Sequence, residues 1–342
     1  MVNLFKKAFD FFIVLHFCVA FLAVFTSAFP TANERGAQIG RWFYWGQAAD
    51  DSGQLVNENN ARLTRVRVQD PNVPLAVCTN AFPTANERRA QIGRWFYWGQ
   101  TADDLGQLVN ENNARLTRVR VQDPNVPTFS ATMVQNTGEF GSAWWWYYGV
   151  DAETVGSHLS QGNRLISIDP YFNAEGLRFV VVMVPNSGAQ DRAWWWYFGQ
   201  NATQVGQLLQ QNNARPVDLR PYNDNGQLKF VVVMIENVGA DNKKWEWWFG
   251  ESPEFINSRI QTGLRVLCFA PDPFGNFVAV LVKDEGEGWY WWYGISPNQA
   301  LTNISQHDTR LIDISPYTLN GNLVFTTVEL DNNLGPQNGT EI

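Results

Sequence analysis

Tryptophan comes in bursts along this chain. Trp42-Phe43-Tyr44-Trp45-Gly46, Trp95 to Gly99, Trp144 to Gly149, Trp194 to Gly199, Trp245 to Gly250 and Trp289 to Gly294 are variants of one motif, and all sixteen tryptophans fall inside them. The closing glycines are spaced by 53, 50, 50, 51 and 44 residues. An arginine trails each by fifteen or sixteen residues: Arg62, Arg115, Arg164, Arg215, Arg265 and Arg310. Two markers in step define a tandem repeat of about six units. No single unit can bury its apolar face alone, so neighbours must stack.

Leu22 to Pro74 and Leu75 to Pro127 match at all but five of 53 positions. The copied block is out of phase with the structural repeat. The first copy runs into Leu75 to Ala81, where the second runs into Phe129 to Val134, so the first repeat lacks its own last strand and residues 29–80 are expected to pack less regularly. The expected organisation is a signal peptide over 1–28, a duplicated and incomplete first repeat over 29–80, a tryptophan-rich tandem domain over 81–330, and a flexible tail over 331–342.

Within a repeat, the aromatic cluster has strand propensity and its glycine ends it. A short helix follows, capped by Asp151, Asn201, Ser252 or Ser296, with Pro253 and Pro297 at its first position and Ser296 with Gln299 fitting a capping box. Gly162-Asn163, Asn212-Asn213 and Gly263 supply left-handed helix ends. The next strand starts at the repeat arginine. Period-two counting puts Arg164, Ile166 and Ile168 on one face and Leu165, Ser167 and Asp169 on the other, with Pro170, Pro221, Pro271 and Pro316 as stops. Asn225-Gly226 and Asn320-Gly321 predict hairpins into a third strand apolar enough to be buried on both faces. The fold class is therefore α+β, built from strand-helix-strand-strand units that form either a propeller-like closed array or a solenoid.

A 45% hydrophobic, 17% charged composition suits a globular array, and the net charge of −8 disfavours nucleic acid as a partner. Lys6 and Lys7 precede the apolar run Phe11 to Phe25, and Thr26-Ser27-Ala28 precedes a cleavage point, the pattern of a secretory signal. The run is shorter than the roughly 20 residues of a membrane span. A secreted chain with no membrane association after cleavage is expected. Asn201, Asn303 and Asn338 lie in glycosylation sequons. Cys78 and Cys268 imply no disulfide framework, and Cys268 reads as a buried small hydrophobe.

Alternation along the clusters offers rings in two directions: Trp144, Trp146 and Tyr148 on one face, Trp145 and Tyr147 on the other. Trp144, Trp194, Trp245 and Trp289 are expected to build an inter-repeat core, since six copies in register are what such a core requires; exposed rings would instead form a platform for sugars or proline-rich chains. Arg164, Arg215, Arg265 and Arg310 are expected to be structural, over a tryptophan or bidentate to Asp169, Asp218 or Asp313, with an anion site as the alternative. Tyr171, Tyr222 and Tyr317 follow a proline at the same rim of three repeats. They are candidate ligand-binding residues, or else hydrogen-bonded turn tyrosines.

No Gly-x-Ser-x-Gly, no Ser-x-x-Lys, no metal-ligand spacing and no phosphate loop occurs, so neither catalytic residues nor a metal or cofactor are expected. The pattern from Trp144 through Asp151, Arg164 to Tyr171 and Phe179 to Val184 resembles the structural repeat of the polyglycine hydrolase-like family, also described as a bacterial tandem repeat domain. In that family such repeats precede a serine catalytic domain similar to beta-lactamases. The Ser-x-x-Lys of that domain is absent here, so the resemblance implies a repeat module and transfers no catalytic residue. The expected function is a secreted binding module for an extracellular glycan or protein. The alternatives are a hydrolase with an unfamiliar site and a purely structural surface protein.

Overall fold

A computed structural model of the chain describes residues 77–78, 92–138, 141–188, 191–239 and 242–332. All of these lie in one compact unit formed by 56–82 and 89–342. The segment 1–28, the incomplete repeat of 29–80 apart from Val77 and Cys78, and the tail beyond Asn332 fall outside the described residues.

After β1 (Val77–Cys78), five repeats of strand, helix, strand and strand follow. The first comprises β2 (Arg94–Gln100), α1 (Ala102–Glu111), β3 (Ala114–Asp123) and β4 (Thr128–Gln135). The second comprises β5 (Trp145–Val150), α2 (Ala152–Leu159), β6 (Asn163–Asn173) and β7 (Gly176–Pro185). The third comprises β8 (Trp194–Gln200), α3 (Ala202–Gln211), β9 (Ala214–Asp224) and β10 (Gln227–Glu236). The fourth comprises β11 (Trp245–Glu251), α4 (Pro253–Ile260), β12 (Leu264–Pro271) and β13 (Phe277–Lys283). The fifth comprises β14 (Trp289–Ile295), α5 (Pro297–His307), β15 (Thr309–Leu319) and β16 (Asn322–Asp331).

Each repeat makes one antiparallel sheet with its last strand in the middle, its aromatic strand on one edge and its arginine-led strand on the other. The middle strand is covered on both faces, which is why Val180 to Val184 and Val231 to Ile235 are apolar without alternation and fully buried. On the first sheet β1 adds a short fourth strand, with Val77 opposite Phe96. The arginine-led strands face one another: β3 packs on β6, β6 on β9, β9 on β12, β12 on β15, and β15 on β3.

The apolar cores lie between sheets. Leu116, Val119, Phe129 and Met133 of the first sheet pack with Ile166, Val180 and Val182 of the second. Leu165, Ile168 and Val181 of the second pack with Val217, Val231 and Val233 of the third. Aromatic edges repeat at each junction: Phe129 meets Trp146, Phe179 meets Trp196 and Phe230 meets Trp247 at 5.8 to 6.1 Å, all nearly perpendicular. Between the fifth sheet and the first, Phe325 meets Phe96 at 5.4 Å. Trp144, Trp194, Trp245 and Trp289 all pack against these inter-sheet clusters, as an inter-repeat core requires.

Helix caps fall at the expected Asp151, Asn201, Ser252 and Ser296. The reciprocal capping box, however, forms in α1 (Thr101 with Asp104) and α3 (Asn201 with Gln204); Gln299 turns its amide to Asn303 instead. Two further expectations need correction. The strands do not stop at Pro170, Pro221 and Pro316, because the arginine-led strand is an edge strand and its prolines need no ladder bond; only β12 ends at its proline. The period-two face assignment also fails: register shifts after Leu116, Leu165, Val266 and Leu311, and the matching shift in β9, mark a bulge in every arginine-led strand. Leu165 and Ile168 consequently share one cluster while Ile166 belongs to the other. The five complete repeats expected after the incomplete one all stand among the described residues.

The duplicated block contains a built-in comparison. Two of its five differences put Thr101 and Leu105 in the described copy where the other has Ala48 and Ser52. Thr101 caps α1, and Leu105 is fully buried in the first inter-sheet core. Leu105→Ser should lower unfolding free energy by about 3 to 5 kcal/mol, and Thr101→Ala by about 1 kcal/mol, as measured by urea denaturation.

Candidate functional site

Two regions concentrate chemistry: the polar column where the arginine-led strands meet, and the end of the sheets marked by the cluster glycines. The column comes from equivalent positions. Just after each bulge stand Arg118, Ser167, Asp218, Cys268 and Asp313, and two residues later Arg120, Asp169, Arg220, Ala270 and Ser315.

These side chains bind the neighbouring strand's backbone. The Val119 amide donates to Ser167 Oγ (3.4 Å), the Ile168 amide to Asp218 Oδ2 (3.0 Å) and the Phe269 amide to Asp313 Oδ2 (2.9 Å). The Cys268 thiol reaches the Leu219 carbonyl at 3.5 Å. Arg120 crosses the column: it donates to Ser167, to the Ile168 and Ile314 carbonyls, to Asp218 (3.1 Å) and to Asp313 (3.0 Å). Arg220 donates to Asp218 (2.8 Å), to Ser315 and to Asp313, and Arg118 lies 3.7 Å from Asp313.

Burial alone would raise the Asp218 carboxyl, but Arg120, Arg220 and Arg118 outweigh it and hold the group at about 2. At Asp169, which accepts the Val121 amide at 2.8 Å, burial wins over the more distant arginines and the carboxyl is pushed up to about 6. Burial pushes the Cys268 thiol to about 12, so it is a poor nucleophile. Asp218, Cys268 and Asp313 bring three ligand-type atoms within 4.8 Å of one another. A metal would have to displace guanidinium groups and amides that already occupy the carboxylate oxygens, so the donor set fits an ion-pair core and not a cation site.

A bidentate pairing with Asp218 or Asp313, one of the structural uses expected of the repeat arginines, does not form. Both are met by Arg120 and Arg220, which lie past the bulge, while Arg164, Arg215, Arg265 and Arg310 are buried nearer the strand starts. Arg265 pairs with Glu287 at 3.3 Å, and Arg310 donates to the Asp331 carbonyl. Asp272 and Glu329 are buried elsewhere, Glu329 completely. Glu329 occupies the place held by Met133, Met183, Met234 and Leu281 in the other sheets. It accepts from the Thr309 hydroxyl at 2.6 Å and the Thr327 hydroxyl at 3.4 Å, and burial pushes its carboxyl up to about 7.

At the glycine end, the ladder between the aromatic strand and the middle strand skips the last ring and its glycine in four sheets, and the glycine alone in the sheet of the fourth repeat, where Phe249 stays opposite Val278. The five glycines, Gly99, Gly149, Gly199, Gly250 and Gly294, all have φ between 63° and 69°, a conformation that glycine adopts without strain. In four of the five sheets the glycine amide is caught by the hairpin of the same sheet. Gly199 donates to the Tyr222 hydroxyl (2.9 Å), Gly294 to the Tyr317 hydroxyl (2.7 Å) and Gly99 to Gln122 Oε1 (2.9 Å), and Tyr171 is bonded to Gly149 in the same way. The rings of Tyr171 and Tyr222 are buried. All three tyrosines thus serve as hydrogen-bonded turn residues, with the hydroxyls a ligand would use engaged by the chain.

The residue before each glycine is different. Tyr148, Phe198, Phe249 and Tyr293 are 46%, 39%, 43% and 45% exposed, and Trp98 is half-buried at the same position. Each of the four exposed rings lies against a tryptophan two residues earlier, at 5.3 to 5.7 Å and 26° to 31°. Phe172, Phe274 and Leu319 on the adjoining hairpins add exposed apolar surface. The alternation legible in the clusters could have located these rings, since each is the last of its inward-facing series. Of the sequons, Asn201 is exposed as the cap of α3; Asn303 is buried and accepts from Gln299 (2.8 Å), leaving no room for a glycan; Asn338 lies outside the described residues.

Asp313→Ala removes the carboxylate shared by Arg120 and Arg220 and should cost about 3 to 5 kcal/mol of stability in chemical denaturation. Glu329 binds its proton more tightly folded than unfolded. Its contribution is therefore complete below the ordinary carboxylate range and is lost as pH rises through about 7. Glu329→Gln should leave stability little changed at about pH 4 and exceed the parent chain at about pH 8, in paired thermal melts. No protein-family model matches this chain, and no curated protein matches it.

Proposed function

We propose that the five sheets close into a propeller-like ring, exported from the cell, whose glycine-end rim binds an extracellular glycan. Closure is supported by the packing of β15 on β3, by Arg120 reaching the Ile314 carbonyl, and by the Phe325–Phe96 contact. Export rests on Lys6, Lys7 and the apolar run from Phe11 to Phe25. Among the described residues no helix is long and apolar enough to cross a membrane.

One observation carries the binding function: the residue just before the cluster glycine is an aromatic ring in all five sheets, and four of the five rings are 39% to 46% exposed. A core position does not need that exposure. A ring held by a tryptophan below it and a phenylalanine edge beside it is rigid, so little side-chain freedom is lost when a pyranose face stacks on it. Equivalent rings, one on each sheet, suit a polymer of equivalent units, which favours a polysaccharide over a protein partner.

The test is co-sedimentation of the full chain with insoluble polysaccharides, followed by titration with soluble fragments of any that bind. Tyr148→Ala, Phe198→Ala, Phe249→Ala and Tyr293→Ala should each weaken binding roughly three- to tenfold, and the combined variant should abolish it while melting normally. Full binding by the folded combined variant would eliminate the rim as the site.

A further inference from the structure

We infer, resting on the glycan reading of this rim, that its ligand is cationic: a polysaccharide of amino sugars carrying free ammonium groups. The argument is one of charge complementarity around exposed rings. Three of the five segments that follow the rim rings into the helices carry acids, Asp103 with Asp104, Asp151 with Glu153 and Glu251 with Glu254; the other two carry none, and none of the five contains lysine or arginine. The hairpins at the same end add Asp123, Glu175 and Asp224 against Arg178 and Lys229. Arg178 is already paired with Glu175 at 3.0 Å.

Helix capping accounts for part of this charge. Asp104 closes the α1 box, and Asp151 accepts the Thr154 amide. Asp103, Glu153 and Glu251 are not needed for any cap, yet they stand within five residues of a rim ring. Backbone and hydroxyl hydrogen bonds at Asp151, and the Ser252 hydroxyl at Glu254, hold those carboxyls below their ordinary values, so they stay ionised in mild acid.

An ammonium group over the face of Tyr148 or Phe249 gains a cation–π attraction as well as the field of the carboxylates in the same junction, and at Phe198 or Tyr293 the cation–π attraction alone. A uronic acid polymer meets the opposite field. An N-acetylated sugar offers the same stacking face without the charge.

The test titrates the full chain, by tryptophan fluorescence and calorimetry at about pH 5, with glucosamine oligomers, N-acetylglucosamine oligomers of equal length, a uronic acid oligomer and a lysine-rich peptide. The glucosamine oligomer should bind at least about tenfold tighter than its acetylated counterpart, and that advantage should shrink as salt rises from about 0.05 to about 0.5 M. In the combined variant Asp103→Asn, Glu153→Gln, Glu251→Gln the advantage should disappear while weak binding to the acetylated oligomer persists. Equal binding of the two oligomers, or preference for the uronic acid, overturns the inference and leaves the glycan reading standing. Binding of the peptide alone, or of none of the four, also overturns the inference, and the glycan reading then stands or falls on the co-sedimentation with insoluble polysaccharides.

Discussion

The structure depends on one kind of hydrogen bond, in which a side chain of one sheet accepts a backbone amide from the edge of the sheet before it. An edge strand carries a row of amides and carbonyls that must be satisfied or covered. Here the arginine-led edges are buried against one another, so water cannot do this. Ser167, Asp218 and Asp313 take the amides of Val119, Ile168 and Phe269 instead, each from the same position of its own repeat. The bulge in each strand aims these side chains across the gap. Two of the three acceptors are carboxylates, and a buried carboxylate needs a cation, which is why Arg120 and Arg220 are there.

The outer ends of the sheets solve a related problem with different chemistry. A glycine at positive φ interrupts the ladder, and in four sheets its freed amide is caught by a hairpin hydroxyl or amide oxygen. The same irregularity turns one ring per sheet partly out of the core. Display of an aromatic surface and termination of the strand are thus one event in the backbone. Mutating the tyrosine that holds the turn and mutating the ring would be expected to act on the same surface by different routes.

Much of the architecture was legible because it is repeated. The unit order, the helix caps at Asp151, Asn201, Ser252 and Ser296, the hairpins at Asn225-Gly226 and Asn320-Gly321, and the two-sided burial of the middle strand all follow from local rules that five copies reinforce. The faces of the arginine-led strand were not legible. A bulge whose extra residue is Thr117, Ile166, Val217, Leu267 or Ile312 has no glycine to announce it, and a single inserted residue inverts every alternation beyond it. Arg118, Arg120 and Arg220 were overlooked for that reason. The signal that could have found them is the column itself: at two positions where a repeat protein should be apolar, the aligned copies read Arg, Ser, Asp, Cys, Asp and Arg, Asp, Arg, Ala, Ser.

That column also constrains how such a protein can change. In the inter-sheet cores one copy can replace another, because Val, Ile and Phe are exchangeable in kind. In the column every copy is different and each is complementary to its neighbours, so the order of the sheets is written in charge. Duplicating a unit with two arginines would add positive charge to a sealed space with no matching carboxylate. Growth by copying, the ordinary route for repeat proteins, is therefore limited here by electroneutrality rather than by geometry. A lineage that gained a sheet would have to acquire its counter-charge in the same step or leave the new unit outside the array.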